Sequence, residues 1–485
     1  MKLYRHFIDY YKFNDCMKTT IKFILISFLL ITSVQAQVKI ASVLGDNMVL
    51  QRNTEVQIWG TAQPGEKLRI TTGWNNVKIK LVANENGKWL VKVKTTEAGG
   101  PYNITIGTSK EKLTINNILL GEVWLCSGQS NMEMSVASLG GGTLTNSSNE
   151  LIFDADNDNI RLFNVKKASV STPQDSCVGS WAVASSESVA SFSAVGYLYA
   201  KKLQQKLHVP IGMICSCWGG SSIEAWMDKE TIAQYPAALK RWEKAQPQQK
   251  PSCLYNGMIA PIVNYTIKGA LWYQGESNKD FYRDYAALLA SMVASWRKDF
   301  GVGNFPFYFV QIAPYEYGNS KGIVSALLRD EQLKSMALIP NSGMISTFDV
   351  GEEKNIHPAE KAQVANRLAY WSLSETYGCK GLAYKMPTFN SVTIKDSVAI
   401  LKFDNAPRGF TSFGKEVECF EVAGADSIFY PAKLIIDREV KVVSAKVKAP
   451  VAVRYGFCNF PKTKGYLYNT AGLPVPSFRT DDWIK

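Results

Sequence analysis

A hydroxyl becomes a nucleophile at neutral pH only beside a base, and His is the usual one because its unperturbed pKa is about 6.5. This chain of 485 residues holds three His. His6 precedes an apolar leader-like stretch, and His208, in Leu207-His208-Val209-Pro210, stands where a helix hands over to a strand, away from any ligand crevice. His357 remains, in Asn355-Ile356-His357-Pro358, where Pro358 is placed to open a helix. The hydroxyl that suits it is Ser130, in Ser127-Gly128-Gln129-Ser130-Asn131-Met132: a Ser after a Gly-bearing turn between strand and helix exposes its Oγ beside backbone N–H groups. Helix N-capping competes as a role for Ser130. The stretch is not the G-x-S-x-G elbow.

Acyl transfer also needs donors aimed at the developing oxyanion. The backbone N–H groups of Gly219 and Gly220 in Trp218-Gly219-Gly220-Ser221, and the side-chain amide of Gln274 in Gln274-Gly275-Glu276-Ser277-Asn278, are the candidates. An acid should hold the far nitrogen of His357. The position three before it is Lys354, which cannot, so Asp349 at a strand end is favoured; Glu352, Glu353, or a Ser-His dyad assisted by a carbonyl stay open. Glu276 and Glu224 would make a carboxylate pair of the kind glycosidases use, but solvated or supporting roles fit them better. Gln129, Asn131, Trp218 and Glu276 border the crevice as candidate substrate-binding residues, and Trp218, Trp226 and Trp272 could form a sugar-stacking wall. No metal-ligand spacing, phosphate loop or dinucleotide fingerprint is present, so neither a metal nor another cofactor is expected.

These residues fall after continuous apolar runs: Val123 to Cys126, Ile211 to Cys217, Ala270 to Tyr273, Phe307 to Ile312 and Met344 to Phe348. Five such runs, alternating with helical stripes (Val195, Tyr199, Leu203 and Leu207; Leu289, Met292, Val293 and Trp296; Val364, Leu368 and Trp371), suit an α/β unit with a parallel sheet covered on both faces. In such a sheet ligands bind beyond the carboxyl ends of the strands, where Ser130, Gly219 and Gln274 lie. On either side the pattern alternates apolar and polar over short runs. The expected division is 37–115 as an N-terminal β-sandwich, 116–378 as the catalytic unit and 379–485 as a C-terminal β region. Length and a 46% hydrophobic, 20% charged composition exclude a disordered or collagen-like chain.

From Met17, Lys18 and Lys22 lead into an apolar run, Phe23 to Val34, and then Gln35-Ala36-Gln37, the parts of a secretory signal. The run is shorter than the roughly 20 residues needed to span a bilayer. Residues 1–36 are therefore expected to be cleaved, leaving a secreted, periplasmic protein without stable membrane insertion. The formal charge of +12 is spread along the chain, the mark of a solvated surface, and no nucleic-acid partner is expected. The Cys apart from those in the leader are ordinary in number, and buried thiols suit them as well as bridges do.

Four ordered stretches, GEVWLCSGQSNMEM (Gly121 to Met134), CWGGSSIEAW (Cys217 to Trp226), ALWYQGESN (Ala270 to Asn278) and NIHPAEKAQVANRLA (Asn355 to Ala369), resemble the sialate O-acetylesterases, a branch of the SGNH hydrolase superfamily. LGDNMVLQR near Leu44 to Arg52 and AGLPVPSFRTDDW from Ala471 to Trp483 extend the likeness over nearly the whole mature chain. The resemblance implies an SGNH-type three-layer α/β/α hydrolase with accessory β domains that removes acetyl groups from sugar hydroxyls without a metal. Ser130 would be nucleophile, His357 base, and Gly219 and Gln274 would join the Ser130 N–H around the oxyanion. Lys354 stands where the superfamily has Asp. The implied substrate is an O-acetylated glycan, with 9-O-acetylated sialic acid first and acetylated xylan or another hemicellulose second; a glycan-binding protein with a dead catalytic fold is the reading of a different class.

Overall fold

In the computed structural model, residues 37–137, 144, 148–242 and 244–483 are described; the leader expected at 1–36 lies outside them. The central sheet follows from the apolar runs. Its strands are β1 (Lys112–Gly128), β2 (Asn157–Asn164), β3 (Trp181–Ala184), β4 (Ile211–Cys217), β5 (Gly269–Tyr273), β6 (Phe307–Val310) and β7 (Ser342–Ile345). They lie side by side as β3-β2-β4-β1-β5-β6-β7. Every neighbouring pair is parallel except β3 against β2. Successive side chains of a strand point to opposite faces, and every residue of β4, β5 and β6 is buried, so both faces of the sheet are covered.

The parallel set thus exceeds the five strands expected, because β2 belongs to it. Its sequence Asn157-Asp158-Asn159-Ile160-Arg161-Leu162-Phe163-Asn164 contains no continuous apolar run, and only Ile160 to Phe163 are buried. Pairing with β4 and β3 supplies what its composition does not advertise. The helical stripes form as expected: α1 (Ser130–Glu133) follows β1, and α2 (Ala194–Leu207), α3 (Tyr285–Phe300), α4 (Val324–Leu338) and α5 (Lys361–Trp371) come later. Helix α2 packs against α5, and α3 against α4. Pro358 does not open α5; it is buried in the loop before it, and Glu360 is the N-cap. No helix among the described residues is long and apolar enough to cross a membrane.

The N-terminal region builds two sheets, one from Lys39–Ile40, Glu55–Thr61 and Lys88–Lys94, the other from Lys67–Thr72, Lys78–Val82 and Gly99–Gly107. The Lys88–Lys94 strand alternates exposed and buried residues along its length, as one packed face requires. Strand β1 runs through the expected boundary at 115/116: its first half pairs with Gly99–Gly107, its second half is the centre of the main sheet. One strand therefore transmits position from the N-terminal region to the turn that carries Ser130.

The C-terminal region is an antiparallel sheet, and its apolar core takes in Phe348 from the loop after β7. Buried Arg329 of α4 donates to Ser477 Oγ at 3.0 Å and to the Cys458 carbonyl at 2.6 Å. The eight cysteines of the described residues are free thiols, and Cys215 and Cys217 bring their sulfurs to 3.5 Å.

Candidate active site

Strand β1 ends in a turn that only glycine permits. Gly128 has φ +135°, and a Cβ there would stand 2.2 Å from the Tyr273 carbonyl oxygen of β5. The next residue, Gln129, donates its N–H to that same carbonyl at 3.0 Å. The chain then turns into α1 with Gln129 as N-cap, so Ser130 is the first helical residue and not the cap. Its N–H is accordingly one of those a helix start leaves without an intrahelical acceptor. Four residues make no stable helix alone. Here Ser193, the N-cap of α2, donates its hydroxyl to the Met132 carbonyl at 2.6 Å while accepting from the Gly196 N–H, and the Ala194 N–H bonds the Met134 carbonyl at 2.9 Å.

Asn131 fastens this turn to the His357 loop. Its Nδ2 donates to Glu276 Oε1 at 2.6 Å and to the Ile356 carbonyl at 3.0 Å, and its Oδ1 accepts from Lys361 Nζ at 2.6 Å. The residue after Ser130 thus holds the residue before His357. The loop is shaped from within as well: the His357 N–H donates to Asn355 Oδ1, and Glu352 accepts from the Asn355 amide at 3.2 Å and from the Ala359 N–H at 2.7 Å. His357 is half-buried and His208 is exposed at the C-cap of α2 with φ +56°.

Asn131 lies between two buried ionisable groups. Burial pushes the Glu276 carboxyl above its usual range, against the opposing pull of the Asn131 bond and the Lys361 charge. Burial likewise brings the Lys361 ammonium down to about 7, opposed by Glu276 and Glu352. Lys361 Nζ also stands 5.6 Å from the centre of the Tyr273 ring. Glu276 Oε2 is buried without a hydrogen-bond partner. Lys361 escaped the sequence reading although a signal existed: with Val364, Ala365 and Leu368 it follows the i, i+3, i+4, i+7 stripe that α5 buries.

Several of the expected residues are engaged with other parts of the protein. Asp349 is committed to Arg367, which grips both its oxygens at 2.8 and 2.7 Å, with both side chains under one-tenth exposed. It closes an internal ion pair. Gln274 is fully buried, and both hydrogens of its amide are spent, on the Ser221 carbonyl at 3.0 Å and Asn278 Oδ1 at 2.7 Å, while Tyr285 donates to its oxygen. It braces the crevice floor and offers no donor to an oxyanion. Gln129, Asn131 and Glu276 are buried too and engage protein partners, so they support the site without facing a sugar. Glu224 is closed in by Arg241 and Asn278. Trp226 and Trp272 are fully buried and meet edge to face at 6.1 Å, as core aromatics do. Trp218 alone of the three keeps an exposed surface, with Lys167 Nζ 5.7 Å above its ring.

Gly219 lies beside Ser130. A Cβ on it would stand 3.3 Å from Ser130 Cβ and 3.2 Å from Glu133 Oε2. Its N–H is engaged, donating to Glu133 Oε2 at 2.5 Å, and Glu133 pairs in turn with Lys167. Nothing in the spacing singled out Glu133, although as the fourth residue of α1 it lies on the same side as Ser130.

A family model described as carbohydrate esterase, sialic acid-specific acetylesterase matches residues 120–372. The chain is 29% identical to a sialate O-acetylesterase of Mus musculus, over 91% of this chain and 94% of that one. It is 30% identical to a sialate O-acetylesterase of Pongo abelii, over 91% and 92%. Among solved structures, a carbohydrate acetylesterase from Xanthomonas citri superposes with a TM-score of 0.84 at 34% identity, covering 92% of this chain and all of that one.

Proposed function

Since the chain belongs to the carbohydrate esterase, sialic acid-specific acetylesterase family, and is a carboxylic ester hydrolase, we propose that it deacetylates sugars through an acyl-enzyme on Ser130, with 9-O-acetylated sialic acid as the preferred substrate. The carrying observation is the clamp at Asn131, which binds the Ser130 turn to the His357 loop through one side-chain amide. Ser130 Oγ attacks the acetyl carbonyl carbon while His357 takes the hydroxyl proton. The tetrahedral oxyanion lies by the Ser130 and Gly219 N–H groups. Collapse breaks the ester bond; the sugar oxygen leaves with the proton from His357. Water, deprotonated by His357, then attacks the acetyl-enzyme, and acetate departs as Ser130 regains its proton.

Glu276 is a positioning residue acting through Asn131 on the Ile356 carbonyl. Trp218, with its exposed surface beside Gly219, is the surface suited to a sugar ring.

The nucleophile is tested by Ser130→Ala, expected to reduce acetate release from an aryl acetate by about 10³-fold or more at unchanged melting temperature. Turnover retained in the variant rejects it. Wild-type release from 9-O-acetylated sialic acid set against acetylated xylan decides the sugar: faster release from xylan replaces the sialate reading with a hemicellulose one.

A further inference from the structure

The N–H group that an oxyanion needs is already held by an anion. Gly219 donates to Glu133 Oε2 at 2.5 Å, and the absence of a Cβ at Gly219 leaves Ser130 and this carboxylate close together on one side of it. An acyl oxygen approaching Ser130 must take the same hydrogen. Glu133 cannot stay where it is during that step, because a carboxylate beside a developing oxyanion is repelled by it. It has somewhere to go: its side chain is 30% exposed, and Lys167, 45% exposed, is paired with it on the solvent side.

We propose that Glu133 is a positioning and specificity residue that occupies the Gly219 N–H in the resting enzyme, yields it to a neutral ester carbonyl by moving toward Lys167, and by its charge keeps a carboxylate group from taking that N–H, while a carboxylate elsewhere on a substrate, away from the ester, is unaffected. The ligand class discriminated against is the small carboxylate, which includes the acetate that the reaction releases. A neutral ester feels only competition for one hydrogen bond, whereas acetate must in addition approach a like charge. Lys167 sets the balance, because it stabilises the carboxylate after it lets go. The inference rests on the serine esterase reading above.

The experiment measures kcat, KM and the inhibition constant of acetate with an aryl acetate substrate. Glu133→Ala is expected to lower the acetate Ki at least tenfold, and Glu133→Gln, which keeps the size and removes the charge, to lower it in the same direction. Lys167→Met is expected to raise the acetate Ki and to reduce kcat/KM several-fold, since the carboxylate loses its alternative partner. A role confined to shaping α1 would lower kcat without tightening acetate. An acetate Ki unchanged or raised in both Glu133 variants overturns the proposal, whatever happens to kcat. The two readings fail separately: retained turnover in Ser130→Ala removes the nucleophile, while an active, Ser130-dependent enzyme whose acetate inhibition ignores Glu133 removes only the guard.

Discussion

Two carboxylates are buried at opposite ends of the central sheet, and their surroundings differ. Glu122 lies where β1 enters the hydrolase sheet, level with Ile211 at the start of β4. Arg52 Nε donates to one of its oxygens at 2.6 Å, and Gln51 and Tyr377 donate to the other at 3.0 and 3.1 Å. Glu276 lies beyond β5 at the other end, with one oxygen on Asn131 and the other unpartnered. A buried charge with all its lone pairs answered is a joint; one left half answered is costly and persists where it serves another purpose. Glu122 joins the N-terminal region to the sheet. Glu276 holds the Asn131 clamp between the Ser130 turn and the His357 loop.

The comparison is broken most directly by exchanging the expected losses. Glu276→Ala should reduce kcat about 100-fold, the scale on which small misplacements of reacting groups act, with KM little changed and with partial rescue in Glu276→Gln. Glu122→Ala should leave kcat of the folded enzyme in place and lower stability by about 3 kcal/mol, since it strands Arg52 and Gln51 in a buried seam. Kinetics and denaturant titration of the two variants settle this; equal effects on both quantities would dissolve the distinction. Asp349→Asn sharpens it from a third position. Breaking the pair with Arg367 should cost on the order of 3 kcal/mol of stability while turnover of the folded protein stays within about threefold, whereas loss of about 10⁴ in kcat would restore Asp349 as the acid serving His357.

A last effect is expected in the pH dependence of stability. Burial depresses the Lys361 ammonium from 10.5 in the unfolded chain to about 7 in the folded one. Between these values the unfolded state binds the extra proton, so stability from this group rises with pH through the window, and below about 7 the full cost of the buried ammonium is present. The melting temperature of the wild type should therefore gain on that of Lys361→Met as pH climbs from 7 toward 10. A constant difference would show that Lys361 keeps one charge state throughout.

Much of the fold was readable because burial on both faces leaves a mark in composition. The runs that became β1, β4, β5, β6 and β7 are continuously apolar, while β2, half polar, was passed over. The site was readable as residue types at strand ends: scarcity of His singled out His357, and Gly-Gln-Ser marked the turn at Ser130. The partners of Asp349 were not readable, because only the folded chain brings Arg367 onto both of its oxygens. Gln274 was placed at the right edge of the sheet, yet the direction of a side-chain amide follows from what surrounds it, and Ser221 and Asn278 turned it inward.

By itself, then, the sequence determined the continuously apolar strands of the sheet and which hydroxyl and imidazole are available, since apolar periodicity and turn chemistry are local properties of a chain. Only the tertiary structure decided which carboxylate remains unsatisfied, which N–H is already taken, and that a single asparagine ties two loops together. Hydrogen bonds between residues such as Asn131 and Ile356 are chosen by distances that exist only after the sheet has assembled, and no spacing along the chain encodes them.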